Sequence, residues 1–157
     1  MRSAAVVTVS DGVSAGTRED TSGEALVAML TDAGFEIRHR TVVPDDAGHI
    51  AMTVRGFVNE VGLIVTTGGT GFGPRDVTPE ATSQVIEREA PGMMTLMVTE
   101  GLSKTPMAAL SRGLVGAAGR TLIVNLPGSP KGATENLAAL LPIIPHALEL
   151  LGGDTEH

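Results

Sequence analysis

Apolar residues in this chain are grouped in short runs that polar, glycine-rich segments separate. Three of the runs, residues 4–10, 62–67 and 120–126, are almost continuously apolar, which is typical of strands buried on both faces of a sheet. A fourth segment, residues 35–43, alternates apolar and polar side chains, as a half-buried or edge strand does. The pattern therefore predicts four strands.

The segments between these runs have helical spacing. After the first strand, one apolar face recurs every three to four residues. Its members are Leu26, Met29, Leu30 and Ala33. Thr21 and Glu24 precede this face in the order of a capping box, and Gly34 follows it where a helix commonly ends.

Two further helices are predicted between residues 46 and 91. Asp46 is expected to cap the first of them. Its apolar face is formed by Ile50, Val54, Phe57 and Val61. Thr78 followed by Pro79 predicts the cap and first turn of the second, which Pro91 would end.

The last third of the chain predicts three more helical segments. Residues 92–101 fit a helix, and Thr105 with Pro106 repeats the cap-and-proline signal for a short one that Gly113 would close. The final helix is predicted to pass through residues 135–137, and the tail after residue 152 is expected to fray.

Strands that alternate with helices predict an α/β fold. We expect a three-layer sandwich in which helices cover both faces of a mainly parallel central sheet. In such a sheet, ligands bind beyond the carboxyl ends of the strands. Three loops should lie there: SDGVSAGTRED after the first strand, TTGGTGFGPRD after the third and NLPGSPKG after the fourth.

Length and composition narrow the class of protein. The 157 residues suit a single domain, residues 1–157. The sequence has no cysteine for disulfides, no signal core and no apolar stretch of membrane length, so a cytoplasmic protein without a membrane partner is expected. A net charge of -7 and the absence of Trp and Tyr argue against nucleic-acid binding, which needs a basic surface and stacking platforms.

The loop after the third strand has the strongest functional signal. Gly68, Gly69 and Gly71 permit positive φ and let an anion approach main-chain N–H groups. A plain strand-to-helix turn also uses glycine, but this loop is longer than such a turn needs, and it adds Arg75 and Asp76. Its spacing matches neither the P-loop nor the dinucleotide-binding motif. An anion site and a ligand-free turn both stay open.

Two aspartates could hold a metal ion. Asp76 lies just before the predicted Thr78 cap, where a carboxylate also stabilises a helix N-terminus. Asp45 follows the second strand, beside Asp46, and could approach Asp76 if the strands are neighbours. Two carboxylates with ligand phosphates and waters are a usual Mg²⁺ site, whereas a turn with capping acids is the alternative interpretation.

The remaining candidates have weaker signals. In PGSPKG, Gly128, Ser129 and Lys131 offer donors for an anion, although the segment also fits a turn. The four histidines have no metal-ligand spacing. They are His39, His49, His146 and His157.

Five segments in this order resemble the molybdopterin-binding Mog/MoaB family: VSDGVSAGTREDTSG, VVPDD, TTGGTGFGPRDVTPEAT, LSRG and NLPGSPKG. The resemblance covers about residues 6–151, and TGGTG-x-x-x-RD-x-TPE is its most specific part. It implies the family's three-layer α/β fold and its homotrimeric assembly.

The resemblance also implies an activity, molybdopterin adenylyltransferase. This enzyme joins the terminal phosphate of molybdopterin to AMP from Mg-ATP and releases pyrophosphate. Asp45 and Asp76 match the family's catalytic, Mg²⁺-associated carboxylates. The matching substrate-binding positions are Ser10, Asp11, Thr67, Gly68, Gly69, Thr70, Gly71, Arg75, Ser111 and Arg112. Those expected at the nucleotide are Pro127, Gly128, Ser129, Pro130 and Lys131.

Two other hypotheses stay open. A non-catalytic molybdopterin-binding or carrier protein of the MoaB type would keep the glycine loop without Mg²⁺, although Asp45 and Asp76, which that branch often loses, are both present. A scaffold with unused loops would bind no pterin. For the adenylyltransferase, a separate molybdenum insertase is the expected partner. The chain also has SDG where relatives often have SDR, which removes one cation beside the first loop.

Overall fold

The computed structural model describes residues 2–154, and within them six strands form one sheet. The strands are β1 (Ser3–Val9), β2 (Glu36–Val43), β3 (Leu63–Thr67), β4 (Arg88–Glu89), β5 (Val115–Ala118) and β6 (Thr121–Leu126). Their order across the sheet is β2-β1-β3-β6-β5-β4. The four predicted strands are confirmed, and they pair with one another in parallel, whereas β5 pairs antiparallel with both β6 and β4.

Two strands give no clear signal in the sequence. β4 has only two residues and both are exposed. β5 is buried but contains Gly116, Ala117 and Ala118, which are residues that strands generally avoid. β5 forms because it pairs with the free edge of β6, and β4 forms because it pairs with β5. Both strands therefore depend on tertiary contacts.

One or two helical segments lie between successive strands of the described chain, except between β5 and β6, and two more follow β6. The helices are α1 (Asp11–Ser14), α2 (Thr21–Asp32), α3 (Ala47–Phe57), α4 (Thr78–Ser83), α5 (Pro91–Leu102), α6 (Pro130–Leu140) and α7 (Ile144–Leu151), with a 3-10 helix at Pro106–Leu110. No helix between residues 2 and 154 combines the length and apolarity that crossing a bilayer requires.

Helices cover both faces of the sheet. Leu26 and Leu30 of α2 pack with α5, α6 and α7 against one face, which includes Val6 and Val65. Ile50 of α3 and residues of α4 pack against the other face. Adjacent strand residues alternate between the two cores, as the pleat of a strand requires. The three-layer α/β fold predicted from the sequence is confirmed.

Two predicted helix caps are wrong. The cap of α2 is Asp20 and not Thr21: the Asp20 carboxylate accepts a hydrogen bond from the Gly23 N–H at 3.0 Å. Thr8 of β1 also donates to Asp20, at 2.8 Å, which fixes this carboxylate at the helix start. Thr78 lies inside α4, where its hydroxyl donates to the Gly68 carbonyl at 2.9 Å instead of capping the helix.

Other helix ends also differ from the prediction. α4 ends at Ser83, and Pro91 begins α5 instead of ending α4. The 3-10 helix after Thr105 ends at Leu110, before Gly113. Val61 lies beyond the end of α3. It is still buried, because the chain turns at Asn59, which has a φ of 67°. The Asp46 cap of α3 is confirmed, because its carboxylate accepts from the His49 N–H at 2.8 Å.

The carboxyl ends of the parallel strands lie together at one edge of the sheet. Val9 is in register with Val43, and Thr67 is in register with both Thr8 and Leu126. The loops after β1, β2, β3 and β6 therefore begin side by side. This edge brings the three candidate loops together, as predicted.

Candidate functional site

A polar cleft lies at this edge, between the ends of β1 and β3. After β1 the chain continues to α2 on one face of the sheet, and after β3 it continues to α4 on the other. The two connections diverge, so a crevice opens between them. The polar cleft has a volume of about 450 Å³. Its predicted residues are Ser10, Asp45, Thr67, Gly68, Gly69, Asp76, Gly128, Ser129 and Pro130.

Main-chain groups of two loops form part of the cleft wall. Gly68 and Gly69 have φ values of 106° and 69°, which other residues rarely adopt. Gly68 touches Gly128, because a Cβ on Gly128 would lie 3.3 Å from the Gly68 Cα. Among the described residues, none accepts a hydrogen bond from the N–H of Gly69, Gly128 or Ser129. These amides are available to an anion, which favours the anion site over the ligand-free turn.

Asp45 is fixed by a reciprocal contact with Asp11. The Asp11 N–H donates to Asp45 Oδ2 at 2.9 Å, and the Asp45 N–H donates to Asp11 Oδ1 at 3.0 Å. Arg75, from the glycine loop, donates to both carboxylate oxygens of Asp11 at 3.0 Å. Asp11 and Arg75 therefore join the loops after β1 and β3 and orient Asp45, while neither is among the residues that line the cleft.

The electrostatic environment separates these two aspartates. Partial burial raises the pKa of Asp45 above its ordinary value of 3.8, and the carboxylates of Asp11 and Asp76 raise it further, whereas the Asp11 N–H lowers it. The pKa of Asp11 is lowered, chiefly by the hydrogen bonds from Arg75. Burial is thus the main reason that the ionised form of Asp45 is disfavoured, the two neighbouring carboxylates add to it and Arg75 opposes them, and a bound cation would favour the ionised form.

We expect Asp45→Asn to stabilise the protein at pH 7. Because the folded state raises the pKa of Asp45, its ionised form costs stability at every pH above that folded value. Asparagine removes the charge and keeps an oxygen for the Asp11 N–H. Solvent screening limits the gain, so we expect the melting temperature to rise by about 2 °C.

The pH dependence provides the control for this prediction. The gain should shrink as the pH falls toward 3.8, the ordinary pKa, because Asp45 is then protonated in the wild-type protein as well. Thermal unfolding followed by circular dichroism measures both melting temperatures. A wild-type protein more stable than Asp45→Asn at pH 7 would contradict a raised pKa for Asp45 in the folded protein.

Asp76 closes the glycine loop on itself. Its Oδ2 accepts a hydrogen bond from the Gly73 N–H at 2.9 Å. A Cβ added to Gly71 would lie 3.0 Å from the same oxygen, so the loop wraps closely around this carboxylate. The loop conformation and the position of Asp76 in the polar cleft are therefore coupled.

Arg112 holds the glycine loop from outside. Its Nε donates to the Gly71 carbonyl at 2.8 Å, and its Nη2 donates to the Asp76 carbonyl at 2.9 Å. Nη1 forms an ion pair with Glu80 at 2.6 Å, and the guanidinium lies 5.4 Å from the ring centre of Phe72. Each guanidinium nitrogen of Arg112 donates one hydrogen bond to the protein itself, so the structure gives Arg112 a positioning role at this site.

A second cavity lies on the other side of Ser129. This apolar cavity has a volume of about 320 Å³. Its predicted members are Thr70, Gly71, Ser111, Pro127 and Ser129, and it continues between α5, α6 and the 3-10 helix. Apart from Asp11, Arg75, Arg112 and Lys131, the predicted site residues are thus divided between two adjoining cavities of different polarity. Lys131 is exposed on the first turn of α6.

Besides Thr8 and Val9 of β1 and Val13 of α1, sequence analysis missed four residues that line the polar cleft. They are Arg18, Glu19, Thr21 and Ser22. All four belong to the segment that follows β1, which the sequence did place at this edge. All four lie within the family-matching segment VSDGVSAGTREDTSG, which could have indicated them.

A buried polar network below the glycine loop was also missed. Asn125 of β6 donates to the Thr66 hydroxyl at 3.0 Å, while its oxygen accepts from the Thr82 hydroxyl at 3.1 Å and the Leu114 N–H at 3.0 Å. The network ties β3, β6 and α4 together. Its signal in the sequence is the one polar amide inside the otherwise apolar run RTLIVNL.

Asp45 and Asp76 fit a Mg²⁺ site that a substrate completes. Between residues 2 and 154, no group of three or more Asp, Glu or His side chains could hold a metal ion without further ligands. Mg²⁺ often uses one or two carboxylates together with phosphates and waters, and this pair provides them. His39 stacks on Phe57 with ring centres 4.4 Å apart, away from these carboxylates, and His157 lies outside the described residues.

The sequence matches one family model, described as a probable molybdopterin binding domain, over residues 5–146. Molybdopterin adenylyltransferase from Helicobacter pylori (strain J99) is 39% identical over 153 residues, which are 95% of this chain and 87% of that protein. The molybdenum cofactor synthesis protein cinnamon from Drosophila melanogaster is 43% identical over 153 residues. The chain spans only 25% of the length of cinnamon.

The fold also has a close structural counterpart. The molybdopterin biosynthesis enzyme MoaB from Thermus thermophilus superposes with a TM-score of 0.92 at 50% identity, and the match covers 98% of each chain. The family match runs from β1 into α7 and includes all three loops of the polar cleft. The chain therefore belongs to the molybdopterin-binding domain family of molybdenum cofactor biosynthesis.

Proposed function

We propose that this protein adenylylates molybdopterin with Mg-ATP. In this reaction a terminal phosphate oxygen of molybdopterin attacks the α-phosphorus of ATP and forms a new phosphorus–oxygen bond. The bond from the α-phosphorus to the bridging oxygen of the β-phosphate breaks, and pyrophosphate leaves with the electron pair. No group of the enzyme has to become covalently attached.

One observation carries the proposal: Asp45 and Asp76 line the same cleft as unpaired main-chain N–H groups. Two phosphates repel each other, so transfer between them needs positive charge and fixed donors at the reacting groups. The N–H groups of Gly69, Gly128 and Ser129 are suited to hold phosphate oxygens. Asp45 and Asp76 would hold Mg²⁺, which when bound reduces the charge on the phosphates.

The chain's own side chains prepare this cleft. The Asp11 N–H and the partial burial of Asp45 keep that carboxylate in one orientation. Arg112 holds the main chain of the glycine loop around Asp76. The apolar cavity beyond Ser129 offers room for an uncharged ring next to the phosphates. The site therefore suits substrates that join a ring to a phosphate.

Incubation of the purified protein with molybdopterin, ATP and Mg²⁺ tests the proposal. We expect adenylylated molybdopterin and one pyrophosphate for each product formed, both measured by chromatography and a coupled phosphate assay. Chelation of Mg²⁺ with EDTA should stop product formation, because Asp45 and Asp76 alone increase the negative charge of the cleft.

Two controls separate this activity from the other hypotheses. Omitting molybdopterin should stop pyrophosphate release. Molybdopterin binding without any adenylylation would overturn the proposal and identify a carrier protein. An absence of both binding and turnover would instead support a scaffold.

We infer that the protein acts as a homotrimer and passes its product to a separate molybdenum insertase in the cytoplasm. The homotrimer and the insertase partner come from the family resemblance, whereas the cytoplasmic location comes from the absence of cysteine and of a signal core in the sequence. Large exposed side chains, among them Phe72, Met107 and Leu110, are compatible with a subunit contact, since isolated chains rarely expose many of them.

A further inference from the structure

Arg18 is a cation of the polar cleft whose charge has no partner among the described residues. The other charged residues that line the cleft are acidic: Glu19, Asp45 and Asp76. At the same edge, Arg75 is paired with Asp11 and Arg112 with Glu80. The Arg18 side chain has neither an ion pair nor a hydrogen bond within residues 2–154. Its guanidinium is therefore available to a ligand.

The segment after α1 folds back and places Arg18 over Gly12. The Gly12 carbonyl accepts from the Thr17 N–H at 2.9 Å, the Thr17 hydroxyl at 3.0 Å and the Arg18 N–H at 3.3 Å. A Cβ on Gly12 would lie 2.6 Å from Cδ and 3.0 Å from Cγ of Arg18. The absence of a side chain at Gly12 thus provides the space in which the stem of Arg18 lies.

We propose that Arg18 binds a phosphate group of a substrate in the polar cleft, and that Gly12 is the positioning residue for its side chain. The inference rests on the proposed function, because it assumes that phosphates enter this cleft. Two carboxylates repel a phosphate, while a guanidinium can donate two parallel hydrogen bonds to it. The phosphate belongs either to the nucleotide or to molybdopterin.

Separate titrations of ATP and of molybdopterin, each with Mg²⁺, test the proposal by isothermal calorimetry. Arg18→Gln should weaken the binding of one of the two substrates by about tenfold, since a hydrogen bond to a charged group is lost. The substrate that is affected identifies the source of the phosphate. Arg18→Lys should lose less, because it keeps the charge but not the paired donors.

Arg120→Gln is the matched control. It removes the same charge from an exposed arginine just before β6, at the opposite edge of the sheet, and it should leave both affinities unchanged. If Arg18→Gln binds both substrates as tightly as Arg120→Gln, the assignment of Arg18 is wrong.

Gly12→Ala tests how Arg18 is placed. The added Cβ should displace the Arg18 stem and weaken the same substrate by about threefold, while the charge is kept. In the double variant Arg18→Gln/Gly12→Ala, affinity should equal that of Arg18→Gln, because the two changes act on one contact. Fully additive losses would overturn the role of Gly12.

The wild-type adenylylation assay separates failure of this inference from failure of the proposed function. If the wild type forms adenylylated molybdopterin but Arg18→Gln is indistinguishable from Arg120→Gln in both affinities, only the Arg18 assignment fails. If the wild type binds neither ATP nor molybdopterin, both proposals fail.

Discussion

Asp76→Asn is expected to lower the rate of molybdopterin adenylylation by roughly a hundredfold or more. The loss corresponds to about 3 kcal/mol of transition-state stabilisation, which is a usual amount for removing one charged or polar group at a reacting phosphate. Asparagine keeps an oxygen for the Gly73 N–H, so the loop should keep its shape. Steady-state kinetics at saturating ATP and Mg²⁺ measures the change, which should appear in kcat.

Asp46→Asn is the control for this prediction. It removes an identical charge from the residue beside Asp45 and retains a side chain that caps α3 equally well. Its kcat should stay within about twofold of the wild type. If Asp76→Asn binds molybdopterin normally and turns over as fast as Asp46→Asn, Asp76 has no catalytic role.

The parts of the fold that the sequence predicts well are those set by local patterns. Continuous apolar runs identify β1, β3 and β6, because a strand covered by helices on both faces buries all its side chains and carries few polar ones, each of which needs a hydrogen-bond partner. The alternation in β2 identifies an edge strand, and β2 is indeed the last strand on its side of the sheet. Once parallel strands are predicted, the loops at their carboxyl ends have to meet.

Contacts between distant residues decide what the sequence could not predict. Thr21 has the local features of a cap, but Thr8 fixes Asp20 at the start of α2, and Asp20 becomes the cap. Both contacts depend on how β1 and α2 pack, which no short window of sequence contains. β5 likewise forms because β6 offers it an edge.

The site shows the same division. Asp45 and Asp76 are predictable because each follows a strand, but the orientation of Asp45 depends on Asp11, which lies 34 residues earlier in the chain. Arg112 likewise holds the glycine loop through a residue distant in sequence: its Nε donates to the carbonyl of Gly71, which lies 41 residues earlier in the chain. The family resemblance implied a substrate contact for Asp11, Arg75 and Arg112, whereas their contacts in the structure are with the protein.

Gly68→Ala is expected to destabilise the protein by about 3 kcal/mol and to lower its melting temperature by about 6–12 °C. Gly68 joins three strand ends: its N–H donates to the Leu126 carbonyl at 3.1 Å, its carbonyl accepts from Thr78, and its Cα faces the Val9 carbonyl. An added Cβ would collide with that carbonyl oxygen, at a φ of 106° that alanine itself disfavours.

Gly16→Ala separates the backbone cost of a positive φ from the cost of the collision with the Val9 carbonyl. Gly16 has a φ of 77°, but an added Cβ would meet no atom within 4 Å, so only the backbone cost of about 1 kcal/mol should remain. Thermal and urea unfolding of both variants give the difference, which measures the collision between Gly68 and the end of β1. Equal losses in the two variants would mean that Val9 does not approach Gly68, and the polar cleft would then lack the wall that joins β1 to β3.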